Sequence, residues 1–152
     1  MRVVVQRCTR ASVNIDNKDN KSINKGLVVF LGITHTDTDK EIDYLIKKII
    51  NLRIFEDDNN KMNYSVKDIN GEILLISQFT LYANTKDGNR PSFTDSMKFD
   101  EAEKLYNLFK EKLIGTNIQI KTGNFGSDMK VELINDGPVT IIIDTKENLY
   151  EK

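Results

Sequence analysis

Gly26-Leu27-Val28-Val29-Phe30-Leu31-Gly32-Ile33 is a continuous apolar run of strand length. It shows no alternation with polar residues, so it reads as a strand buried on both faces. Asp37 or Thr38 then offers a helix N-cap. Ile42, Leu45, Ile46, Ile49 and Ile50 follow at helical spacing, with Lys47 and Lys48 on the opposite side. Upstream, Arg2–Arg7 and Ala11–Asp16 read as two strands rich in Val and Ile, followed by a polar loop over Asn17–Lys25. Downstream, Glu56–Lys61 is a polar turn, Asn70-Gly71 is a hairpin-type signal, and Glu72–Gln78 is another mostly apolar strand. Asn84–Pro91 is a polar loop. A second amphipathic helix is expected over Phe99–Leu113, with Ala102, Leu105, Tyr106, Phe109 and Leu113 on one face and Gly115 at its C′ position. Three strand-like runs close the chain: Ile118–Thr122, Met129–Asn135 and Val139–Asp144. The helices do not alternate strictly with the strands. The expectation is one α+β domain over residues 1–152, with a mainly antiparallel, curved, barrel-like sheet and two helices.

Composition narrows the chemistry. At 152 residues, with 39% hydrophobic and 30% charged positions, the chain can bury a core as one domain. Cys8 is the sole cysteine, which excludes an intramolecular disulfide and fits a reducing compartment. The run Val3-Val4-Val5 is too short for a signal peptide core, and no segment has the length of a membrane span, so a cytoplasmic protein is expected. The net charge of −1 leaves no global footprint for coating a nucleic-acid duplex, although a partner touching only the end of an RNA would not require one.

His35 is the only histidine, so a Ser-His-Asp or Cys-His system would have to use it. Its setting, Thr34-His35-Thr36 between a strand end and a helix start, favours an ordinary loop histidine. One His and one Cys make a zinc site improbable. Asp57-Asp58-Asn59-Asn60 resembles half a calcium loop but lacks the glycine and closing glutamate, and reads as a solvated turn. No P-loop, G-x-G-x-x-G or G-x-S-x-G is present. No metal and no cofactor are expected. An enzyme of this composition would work with hydroxyls, amides, backbone groups or the substrate itself.

Two segments concentrate polar residues. Ser77-Gln78-Phe79-Thr80-Leu81 ends the apolar strand Ile73–Ile76, and Asn135-Asp136-Gly137-Pro138-Val139-Thr140 interrupts the last apolar runs. Taken singly, the first reads best as hydrogen-bonded structure and the second as a hairpin turn with Pro at the first position of a strand. Together they are the two signatures of a family: the chain resembles D-aminoacyl-tRNA deacylases, also called D-tyrosyl-tRNA deacylases. The similarity covers nearly the whole chain. It extends to Met1-Arg2-Val3-Val4-Val5-Gln6-Arg7, Asn51-Leu52-Arg53-Ile54-Phe55, Gly88-Asn89-Arg90-Pro91-Ser92-Phe93 and Thr122-Gly123-Asn124-Phe125-Gly126.

The resemblance implies hydrolysis of the ester bond of D-aminoacyl-tRNA, and of mischarged glycyl-tRNA, by a homodimer. Gly137-Pro138 of one subunit, with a cis peptide, would enter the site of the other and block an L side chain. Ser77, Gln78, Phe79 and Thr80 would form the pocket floor, Arg7 would fix the Gly-Pro loop, and Phe125 and Met129 would lie near the terminal adenosine. The partner would be the aminoacylated 3′ end of tRNA, with neither DNA nor membrane. An aminoacyl ester is already activated, which suits a chain without a histidine base. The N–H groups of Phe79 and Thr80 could stabilise the oxyanion, and the ribose 2′-hydroxyl could orient or activate water. Thr80 is the obvious side-chain nucleophile but has no base to activate it. Two rival readings are a non-catalytic small β-barrel that binds RNA and a structural subunit. Aromatic content of 8%, no Trp and scattered basic residues weaken the first rival.

Overall fold

The computed structural model describes residues 1–151. Eight strands and two α-helices follow the order β1 (Arg2–Ile15), β2 (Asp19–Ile23), β3 (Gly26–Gly32), α1 (Asp39–Asn51), β4 (Phe55–Glu56), β5 (Met62–Tyr64), β6 (Glu72–Ser77), α2 (Phe99–Ile114), β7 (Gln119–Thr122) and β8 (Met129–Asp144). A 3₁₀ turn, Phe79–Tyr82, follows β6, and a π turn, Lys146–Tyr150, follows β8.

The main sheet runs β2-β1-β3-β6-β7, with β8 on the other side of β1, and it curls into a nearly closed barrel. Strand β1 pairs antiparallel with β2, β3 and β8. The β3–β6 and β6–β7 pairs are parallel, joined through connections that contain α1 and α2. Antiparallel pairing thus dominates around β1, and a parallel half carries the helices. Gly26 makes the parallel pairing possible. A Cβ there would lie 1.9 Å from the Glu72 carbonyl oxygen.

The buried run of β3 has a direct explanation. Leu27, Val29 and Leu31 pack with Val3, Val5, Ile42, Leu45, Ile49 and Phe109 beneath the helices. Val28, on the other face, joins Val13, Ile15, Leu74 and Ile76 inside the curled sheet. Helix α1 starts where the cap residues suggest: Thr38 and Glu41 form a reciprocal capping box. Helix α2 lies beside it, and Lys112 pairs with Asp43 across them at 2.7 Å.

Several local expectations are corrected. Arg2–Arg7 and Ala11–Ile15 belong to one strand, which ends one residue before Asp16, with an irregularity around Cys8 where the partner changes from β3 to β2. The loop over Asn17–Lys25 contains β2. Asp16 and Asn17 both have positive φ, 51° and 58°, and Lys18 N–H donates to the Ile15 carbonyl, so a tight two-residue turn precedes it. Asn70-Gly71 makes no hairpin and instead leads into the parallel strand β6. The short hairpin is β4–β5, around Asp57–Lys61. Gly115 caps α2 in the right-handed region, and Asn117 takes the left-handed one (φ 66°). Met129–Asn135 and Val139–Asp144 are likewise one strand, β8.

Candidate active site

Strands β3 and β6 are parallel, so their carboxyl ends lie at the same end of the sheet. Clefts form there because the chain departs from neighbouring strands in different directions. A cleft of about 670 Å³ opens at this position. Leu31, Ile33, Ile76 and Val131 form apolar lining, Ser77, Gln78 and Phe79 come from the end of β6, and Phe93, Met97, Lys98, Phe99, Phe125 and Met129 complete most of the wall. Aromatic edges organise that wall. Phe79 meets Phe93 at 5.1 Å between ring centroids, and Phe125 meets Phe99 at 5.0 Å and Tyr106 at 5.3 Å.

The polar floor is a change of backbone direction. Gln78 N–H donates to the Leu31 carbonyl at 2.7 Å, and the chain then enters the 3₁₀ turn. Leu81 N–H donates back to the Gln78 carbonyl and Ala83 N–H to that of Thr80. Among the described residues, the N–H groups of Phe79 and Thr80 have no backbone acceptor. Phe79 is 58% exposed despite its size, and Thr80 is exposed. Gln78 Nε2 donates to Thr80 Oγ1 at 2.5 Å, so the Thr80 hydroxyl is tied to an amide rather than to a base. Thr80 is not among the residues lining the cleft.

The second signature is built elsewhere in the protomer. Register across β1 and β8 passes from Cys8↔Asn135 to Gln6↔Thr140, so Arg7 alone stands opposite Asp136–Val139. The surplus residues loop outward. Gly137 and Pro138 are exposed, joined by a cis peptide, and Gly137 has φ 130°. Arg7 is buried beneath this loop. Its Nε donates to the Asp136 carbonyl at 2.9 Å and its Nη1 to the Ile54 carbonyl at 2.8 Å. The carboxylates of Glu56 and Asp136 stand 3.8 and 3.7 Å from the guanidinium. Asn135 Oδ1 accepts from Val139 N–H at 2.8 Å, and Asn135 Nδ2 donates to Thr140 Oγ1 at 3.0 Å.

The structure therefore groups Ser77, Gln78, Phe79, Phe125 and Met129 around one cleft, and Arg7, Gly137 and Pro138 around one loop. Phe93, Met97, Lys98 and Phe99 also line the cleft, and no expectation from the sequence assigns them to it. The signal available was a pair of phenylalanines flanking a polar run with no strand or helix period to bury them. Asn135 and Thr140 support the Gly137-Pro138 loop, a role that no local sequence pattern marks. His35 stays in a loop, with its Nε2 2.6 Å from the Thr94 carbonyl. No cluster of three or more His, Cys, Asp or Glu able to hold a metal occurs among the described residues, and no helix there is long and apolar enough to cross a membrane. Burial pushes the Cys8 thiol up to about 11, which disfavours the thiolate.

Known proteins match both the sequence and the fold. The family described as D-Tyr-tRNA(Tyr) deacylase matches residues 4–144. A D-aminoacyl-tRNA deacylase of Fusobacterium nucleatum subsp. nucleatum is 57% identical over 147 residues, covering 97% of each chain. One of Finegoldia magna is 53% identical over 146 residues, covering 96% of this chain and 99% of the relative. A solved structure of a c-Myc DNA unwinding element binding protein superposes with a TM-score of 0.88 at 45% identity, covering 95% of this chain and 98% of the other. A second structure, described as a probable eukaryotic D-amino acid tRNA deacylase, shares the fold with a TM-score of 0.83 at 17% identity, covering 93% and 97%. On these grounds the chain belongs to the D-Tyr-tRNA(Tyr) deacylase family.

Proposed function

We propose that the protein hydrolyses the ester bond of D-aminoacyl-tRNA, releasing D-amino acid and tRNA, and rejects the L-substrate. The observation that carries the reading is the pair of N–H groups without a backbone acceptor, that of Phe79 on the lining of a cleft walled by aromatic rings and that of Thr80 next in the chain. A flat base such as the terminal adenosine suits the Phe99–Phe125 wall and Met129, with Lys98 available for a phosphate. The scissile carbonyl would then lie at the turn, where the two N–H groups receive the oxyanion. One such donor lowers a barrier by roughly 2.7–4 kcal/mol. Water attacks with help from the ribose 2′-hydroxyl. Thr80 contributes shape and a hydrogen bond, because no base stands against its hydroxyl.

Handedness requires a wall that an L side chain cannot pass. Within one protomer Gly137 and Pro138 are absent from the cleft lining. Their exposed, Arg7-braced loop suits insertion into the cleft of a second copy, where its carbonyls would face the substrate's α-carbon. Glycyl-tRNA has no side chain to exclude and would also be a substrate. The DNA-binding description belongs to the relative that bears it. A net charge of −1 here favours contact with one end of a tRNA over a long duplex. The decisive experiment compares matched D- and L-tyrosyl-tRNA with purified protein. Release of tyrosine from the D-ester alone is expected. Equal hydrolysis of both, or of neither, rejects the reading.

A further inference from the structure

The turn that carries Phe79 and Thr80 has only four residues, and short 3₁₀ segments are poorly stabilised by their own bonds. Its surroundings hold it. In the sheet, Arg2 of β1 stands between Gly32 of β3 and Asp144 of β8. The turn lies directly on Gly32. A Cβ there would come within 2.9 Å of Leu81 Cβ and 3.1 Å of the Gln78 carbonyl oxygen. The leading end of the turn is tethered by Gln78 N–H on the Leu31 carbonyl. The far end is gripped by Arg2. Its Nη1 donates to the Leu81 carbonyl at 2.7 Å, and its guanidinium lies 4.7 Å from the centroid of the Tyr82 ring. The other edge of the same guanidinium is fixed. Nε and Nη2 donate to Asp144 Oδ2 at 3.0 and 2.8 Å, while Asp144 Oδ1 accepts from Lys146 N–H at 2.9 Å.

We propose that Arg2, buttressed by Asp144, is a positioning residue for the ester hydrolysis, fixing the far end of the Phe79–Tyr82 turn and so the directions of the Phe79 and Thr80 N–H groups. It touches no substrate. The inference rests on the reading of those two amides as oxyanion donors. Arginine is required because one planar group must reach a carbonyl, a carboxylate and an aromatic face together. A lysine ammonium can satisfy one or two of these contacts. If the far end were released, the turn would pivot about its Gln78 tether. Displacement of reactive groups by about 1 Å can cost on the order of a hundredfold in rate.

The test combines steady-state kinetics on D-tyrosyl-tRNA with amide NMR of the substrate-free protein, for Arg2→Ala, Arg2→Lys and Asp144→Asn. Arg10→Ala, which removes an exposed ion pair with Glu132, is the control and should leave activity unchanged. For Arg2→Ala, kcat should fall between about tenfold and a hundredfold, with KM held within about twofold. The Phe79 and Thr80 amide resonances should move. Arg2→Lys should be intermediate, and added guanidinium ion should restore part of the Arg2→Ala rate. A wild-type kcat in Arg2→Ala overturns the proposal, as does a lost kcat with unmoved Phe79 and Thr80 resonances. Should Arg2→Ala fail to fold, Arg2→Lys and Asp144→Asn decide by the same readouts. Should the wild type itself not hydrolyse D-tyrosyl-tRNA, the functional reading fails. The amide resonances would still decide whether Arg2 fixes the turn.

Discussion

A methyl group on Gly137 would lie 2.8 Å from Val139 Cγ2 and 3.0 Å from Arg7 Nη2, at a φ of 130° that L side chains rarely adopt. Gly137→Ala must therefore distort the loop or push back the buried arginine that braces it. A stability loss of about 1–3 kcal/mol is expected, with a larger relative loss of D-ester hydrolysis because the outward surface of the loop changes. Denaturant titration and D-tyrosyl-tRNA kinetics on the same preparation check both parts; an active, equally stable variant would remove Gly137 from the argument. Thr80 makes the opposite case. Its hydroxyl is exposed and bonded to Gln78 Nε2. Thr80→Ala should keep its rate within about tenfold of wild type, since truncating a neutral hydrogen bond removes about 1 kcal/mol. An acyl adduct on Thr80, detected by mass spectrometry after quenching, would establish covalent catalysis instead.

At the level of elements, α1 is anchored through Glu41. This buried carboxylate accepts from Thr38 N–H and Oγ1 at its own cap and from the Tyr150 hydroxyl of the π turn. Burial pushes its pKa upward, but the hydrogen bonds from Tyr150 and Thr38 outweigh burial and hold it below the ordinary 4.5. A carboxyl with a lowered folded-state pKa adds stability that is fully present above 4.5 and lost as pH falls through the folded value. Glu41→Gln should thus melt below wild type at neutral pH, with the gap closing as the pH falls below the ordinary carboxylate value of 4.5. A gap that stays constant across a pH series of melting curves would show that the charge of Glu41 is not what holds the helix.

For the molecule as a whole, the proposed second copy has a physical signature on the surface. Ile134 and Ile142 of β8 are 45% and 68% exposed, on the strand that also projects Gly137 and Pro138. Large exposed apolar groups beside a projecting loop fit a self-complementary contact. Light scattering at micromolar concentration should give about twice the chain mass of 17.4 kDa. Mixing a cleft variant such as Phe79→Ala with a loop variant such as Gly137→Ala should recover part of the activity, because one complete site would form per mixed dimer. A monomer with full activity would refute the shared site.

The amino-acid sequence alone was enough for the elements whose apolar pattern has one period. The run Gly26–Ile33 and the spacing of Ile42, Leu45, Ile46 and Ile49 were legible because burial on two faces, or on one helical face, leaves a direct trace in residue type. It also determined the family, through two polar signatures placed where a core strand ends and where a long strand is interrupted. Pairing belonged to the tertiary structure. Nothing local distinguishes a parallel partner from an antiparallel one, so Asn70-Gly71 resembled a hairpin while β6 lay parallel to β3. The breaks at Cys8–Arg10 and Asp136–Pro138 resembled strand ends because a bulge and a turn draw on the same residues. The cleft was only half legible. Ser77, Gln78, Phe79, Phe125 and Met129 came from the family resemblance, whereas Phe93, Met97, Lys98 and Phe99 joined them through the course of a loop that no periodicity describes. The separation of the cleft from the Gly137-Pro138 loop was likewise decided by the tertiary structure, because it depends on which strand ends the curled sheet brings together.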